Sequence, residues 1–150
     1  MYACDDHWWA LYIKEIRTAF KGNLWTQSVP AGQKYGLNVW PGQSIEGLGR
    51  YKIHFGGNSG QQAIKLAFLL GADKIILLGF DMQRTNGQSH FFGDHPYHRH
   101  GQGAQPSQFT RWIVNMEGIA RDLEFEGVQV INASRQTALR CFPTKELSLC

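Results

Sequence analysis

Residues 51–81 read YKIHFGGNSGQQAIKLAFLLGADKIILLGFD. Tyr51–Phe55 is predicted as a strand. Gly56-Gly57-Asn58-Ser59-Gly60 is predicted as a tight turn into a helix. Gln61–Leu70 is apolar over most of a helical circumference and is closed by Gly71. Lys74–Phe80 is a run of Ile and Leu, the pattern of a central strand buried on both faces. Strand, helix and strand within about 30 residues predict a right-handed βαβ unit with parallel strands.

The same alternation extends outward. Met1–Cys4 reads as a strand, and Asp5-Asp6 as a helix start. Trp9, Tyr12, Ile13, Ile16 and Phe20 then recur at helical spacing. Leu24–Thr26 reads as a short strand. Ser28–Arg50 holds seven Gly or Pro residues and reads as loop, with a strand at Gly36–Trp40. Downstream, Gln83–Gln105 is a long polar loop with four His. Ser107 is placed to cap a helix whose buried stripe is Phe109, Trp112, Ile113, Met116, Ala120 and Leu123. Val128–Ile131 reads as a last strand. The pattern predicts an α/β three-layer fold with a mostly parallel central sheet, in a single domain of residues 1–150.

Composition narrows the function classes. A chain of 150 residues can bury roughly 68–70% of its unfolded surface. With 43% hydrophobic and 18% charged residues, it is not of the disordered class. No apolar run approaches the ~20 residues of a membrane span, and Met1–Asp6 has no signal-peptide pattern. The net charge is +3, from 15 basic and 12 acidic residues, and no basic run reaches five, so no nucleic-acid partner is expected. Cys4, Cys141 and Cys150 lack metal-site spacing and read as reduced thiols of a cytoplasmic protein.

Three constellations can carry chemistry. Asn58, Ser59 and Gly60 stand at a helix N-terminus, where free N–H groups and the dipole favour a phosphate. The turn matches neither the P-loop nor the dinucleotide fingerprint, and its plainer role is helix capping. Asp81 follows a strand, at the sheet edge where ligands of open α/β folds collect. Asp5 and Asp6 follow the first strand and fall on that same edge, with N-capping as their plainer role. Ser89–His100 is the third, in which His90 or His95, oriented by Asp94, is the candidate general base. Its His spacing fits no standard zinc motif.

Several of these segments together resemble a family of phage and prophage proteins. They are Gly57-Asn58-Ser59-Gly60, Leu69-Leu70-Gly71-Ala72, Lys74–Met82, Cys4–Trp9, Leu24–Gln27, His90–Pro96 and Cys141-Phe142-Pro143. The layout from the Ser-Gly turn to Asp81 is also similar to bacterial lipooligosaccharide sialyltransferases and to archaeal pterin pyrophosphokinase-like proteins. Both groups have Rossmann-like folds and place nucleotide phosphates near the Ser-Gly turn. The resemblance implies that Asn58, Ser59 and Gly60 face nucleotide and that Asp81 borders the site. Such proteins begin with an earlier strand and glycine-rich turn, which this chain is expected to lack. That leaves a sheet edge open or paired with a second copy in a homo-oligomer.

The expected function is a nucleotide-dependent transferase, most like a nucleotide-sugar glycosyltransferase. Asn58–Gly60 would hold phosphate, Asp5 or Asp81 would hold hydroxyls, and His90 or His95 would take the acceptor proton. One alternative is pyrophosphoryl transfer with Mg²⁺ on Asp81 and Asp94. The other is a non-catalytic module binding a nucleotide or a protein.

Overall fold

The computed structural model describes residues 1–45, 47–55, 57–89 and 104–150. The chain divides into two compact units, Met1–Gly71 and Ala72–Cys150.

The first unit starts with a short extended segment. Tyr2 bridges Trp25 in parallel, with Trp25 N–H donating to Met1 C=O at 2.9 Å. Helix α1 (Asp6–Ala19) follows and buries Trp9 and Ile16. Strand β1 (Trp25–Thr26) leads into helix α2 (Val29–Tyr35) and then strand β2 (Asn38–Val39), which pairs with β1 in parallel. Helix α2 arises where the sequence reads as loop. Ser28 caps it by accepting from Ala31 N–H, and Pro30 sits in its first turn, where the missing N–H costs nothing. Strand β3 (Gly42–Gln43) pairs in parallel with β4 (Ile53–His54), and helix α3 (Ser59–Leu69) closes the unit. The core joins Ala3, Trp9, Ile16, Leu24, Ala31 and Leu37. Trp9 Nε1 donates to Ala3 C=O, so the buried indole keeps a partner.

The second unit holds β5 (Lys74–Leu77), α4 (Pro106–Phe125), β6 (Gln129–Asn132) and a 3-10 turn at Leu147–Leu149. Strands β5 and β6 are parallel, with Ile75 opposite Val130 and Leu77 opposite Asn132. Helix α4 buries Met116, Ile119 and Leu123. Its N-cap is Gln105 rather than Ser107, and Gln108 Oε1 accepts from Gln105 N–H at 2.8 Å.

The expected three-layer Rossmann-like fold with a continuous, mostly parallel sheet is not what the described residues form. They form three separate two-stranded parallel ladders and four helices. The βαβ unit expected at Tyr51–Phe80 is not a paired unit, because β4 pairs with β3 and β5 pairs with β6. Parallel pairs do flank helices, at β1–α2–β2 and β5–α4–β6. The reason is local. The Gly- and Pro-rich stretch 36–57 supports ladders of only two residues. Gly79, at φ 71°, turns the chain after Leu78 and stops the Ile/Leu run. That run is not covered on both faces either, since Ile76 is 40% and Leu78 56% exposed.

Candidate functional site

In parallel pairs the chain leaves each strand at the same end, so the helices that follow start side by side. In the first unit this brings three chain segments together. Cys4 ends the first extended segment, Gln27 directly follows β1, and Ser59 opens α3. Cys4 Sγ and Ser59 Oγ share a hydrogen bond of 2.9 Å, and Gln27 Nε2 donates to Cys4 C=O at 3.5 Å. Tyr2 Oη donates to Gln62 Oε1 at 2.6 Å and ties the same segment to the next turn of α3.

The start of α3 is built for a negative charge. Asn58 Oδ1 accepts from Gln61 N–H at 2.9 Å, the usual cap. The N–H groups of Ser59 and Gly60 carry no hydrogen bond among the described residues. Asn58 Nδ2 is buried and has no partner among those residues. No acidic residue stands in the first turn of α3, so its own side chains leave the dipole uncompensated. In α1 the contrast is clear, because Asp6 occupies that first turn.

Two titrating groups at this mouth, Cys4 and Tyr2, are held protonated. Burial pushes the Cys4 thiol up despite the Ser59 hydrogen bond, and Asp5 and Asp6 add to the rise. Burial also pushes the Tyr2 phenol far up, with Cys4 and Asp5 contributing. At neutral pH both are neutral hydrogen-bonding groups. Neither is a base or an activated nucleophile.

Asp5 is the N-cap residue of α1, but its carboxylate makes no cap hydrogen bond and is exposed. It follows Cys4 directly, so Asp5, Asn58, Ser59 and Gly60 belong to one neighbourhood. Asp81 belongs to the second unit. It lies just past β5, beside a cleft of about 1100 Å³. Thr85 Oγ1 donates to Asp81 Oδ2 at 3.1 Å. His90, Asp94 and His95 lie outside the described residues. Among those that are described, no group of three His, Cys, Asp or Glu could hold a metal ion. The Mg²⁺ site of the pyrophosphoryl alternative rests on Asp81 and Asp94, and Asp94 lies outside the described residues.

The loops after β5 and β6 are locked together by a polar network under the cleft. Asn132 is fully buried; its Oδ1 accepts from Ser134 N–H, and its Nδ2 donates to Thr137 Oγ1. Ser134 Oγ accepts from Phe80 N–H, Thr137 Oγ1 donates to Phe80 C=O, and Ala138 N–H donates to Asp81 C=O.

Sequence reasoning missed Cys4 and Gln27 as partners of the turn, and Asn132 and Ser134 as the frame around Asp81. The Ser28-Val29-Pro30 start signal was legible and would have marked Gln27 as the residue between a strand and a helix. No helix of the described residues is long and apolar enough to cross a membrane. No family model, characterised protein or solved structure matches this chain.

Proposed function

We propose that this chain is a nucleotide-dependent transferase, most like a nucleotide-sugar glycosyltransferase, with the donor phosphates seated at Asn58–Gly60. One observation carries the reading: the N-terminus of α3 meets Cys4, itself held by Gln27, with no acidic residue in its first turn and its first N–H groups unused among the described residues. The Ser59 and Gly60 N–H groups and Asn58 Nδ2 would donate to phosphate oxygens. As the leaving phosphate gains charge, those donors stabilise it without reorganising. Asp5 would accept from sugar or ribose hydroxyls. The acceptor proton would go to His90 or His95, oriented by Asp94; the His- and Asp-bearing stretch 89–100 of the sequence is what supports that part. The three free cysteines fit a reducing, cytoplasmic setting.

A second reading has its own support. Unused N–H donors open this mouth, and its thiol and phenol, Cys4 and Tyr2, are held neutral. Such a mouth also suits a non-catalytic nucleotide-binding module.

A thermal-shift series with CMP, UDP, GDP and ATP, each with and without Mg²⁺, tests the site. A nucleotide at 100 times its Kd should add about 2.7 kcal/mol of stability, and Ser59→Ala should remove the gain. No shift with any nucleotide overturns the reading. Turnover that survives in both His90→Ala and His95→Ala overturns the base assignment. Binding without product from any acceptor favours the module.

A further inference from the structure

We propose that the cleft beyond β5 and β6, lined by residues of the second unit, is a binding site for a phosphorylated sugar. The cleft is about 1100 Å³, ample for a sugar phosphate. Its walls offer the three kinds of contact that such a ligand needs. Asp81 presents a carboxylate whose Oδ2 is fixed by Thr85, while Oδ1 has no partner among the described residues. A carboxylate held in this way accepts from vicinal hydroxyls. Arg135 and Lys145 also line the cleft, and neither side chain has a hydrogen-bond or ion-pair partner among the described residues. They supply the positive charge for a phosphate, with Glu146 the second carboxylate of the lining beside Asp81. Leu78 and Leu147, each 56% exposed, give an apolar wall for the C–H face of a sugar ring.

The frame supports a built site. Fully buried Asn132 and its hydrogen bonds hold the loop of Arg135 against the loop of Asp81. Met82, directly after Asp81, sits at φ 50°, a left-handed conformation that a methionine adopts at a cost. Strain of that kind persists where surrounding structure enforces it, and it concentrates at ligand sites.

The test is calorimetric titration of the full chain with glucose 6-phosphate, with glucose, and with inorganic phosphate. The sugar phosphate should bind at least about tenfold more tightly than either half. Asp81→Asn should weaken the sugar phosphate about tenfold and leave inorganic phosphate unchanged. Arg135→Ala with Lys145→Ala should weaken both; these side chains are exposed, so the fold survives their loss. Sugar phosphate binding no tighter than inorganic phosphate overturns the proposal, since that is general attraction to surface cations. No binding, or indifference to both sets of variants, also overturns it.

Discussion

Asn132 does more than any other single side chain in the second unit. It is fully buried, and its amide bonds Ser134 N–H, Thr137 Oγ1 and Leu139 C=O. Removing the amide strands buried donors and acceptors that water cannot reach, each worth about 1–3 kcal/mol. Asn132→Ala is therefore expected to lose about 2–3 kcal/mol in urea denaturation. It should also weaken any ligand of the Asp81 cleft, because Ser134 and Thr137 clamp Phe80. A loss under about 0.5 kcal/mol, the range of an ordinary surface change, would mean the network does not hold the loops. Nothing in the sequence marks Asn132. It looks like a polar residue at a strand end, and its burial comes from chain segments folded over it. Asn58 is the opposite case: a cap residue before a helical stretch is a local signal, and the structure uses it as one.

Most elements were legible and their pairing was not, for a reason that belongs to elements. Helices α1, α3 and α4 and every described strand but β3 overlap a predicted element, while α2 and the three separate ladders were not foreseen. The apolar periods of α1 and α4 are set by neighbours three and four residues away, so they can be read locally. A two-residue strand such as β3 exists only through its partner, and its sequence carries no period. The run Ile75–Leu78 shows the same limit, because apolar content alone does not tell which face will be covered. Helix α2 escaped notice because its close approach to β2 needs Gly32, which reads as a loop residue. A methyl group at Gly32 would stand 2.1 Å from Val39 Cγ2. Gly32→Ala is thus expected to destabilise by about 1–3 kcal/mol, overriding the ~1 kcal/mol that alanine gains in a helix. Gly32→Ala combined with Val39→Ala should cost less than the single change predicts; a net gain from Gly32→Ala alone would refute the contact. At α3, Asn58→Asp separates cap from site. An aspartate still accepts from Gln61 N–H and suits the dipole, so stability should hold or rise by about 0.3–1 kcal/mol. The same change removes the Nδ2 donor and puts a negative charge where phosphate is proposed. Nucleotide shifts should therefore vanish in a protein that melts no lower. Retained nucleotide binding in Asn58→Asp would move the phosphates away from this turn.

At the scale of the whole molecule, protons couple the thiols to folding. Burial raises Cys4, and burial with nearby Glu117 raises Cys141 to about 11, against an ordinary thiol near 8.5. In the unfolded chain these thiols release protons as pH passes about 8.5, while the folded chain keeps them. The unfolded state then binds fewer protons than the native one, so unfolding free energy falls as pH rises. The stability is whole below about pH 8 and declines toward about pH 11 as far as Cys141 is concerned. Tyr and Lys side chains ordinarily titrate near 10 and above, and burial pulls the Met1 ammonium down from 8.0, so from pH 8 to 9.5 the thiols give the larger change. Each thiol can contribute a slope of at most about 1.4 kcal/mol per pH unit, and partial exposure of Cys141 reduces its share. Urea midpoints measured under reducing conditions at 0.15 M salt should fall across that interval. Cys141→Ala should make the fall shallower, because the variant has no thiol there for the unfolded chain to deprotonate. Cys4→Ala should do the same through the first unit. A midpoint that stays level from pH 8 to 9.5 would mean that neither thiol is shielded from water as the packing around Cys4 and Cys141 requires.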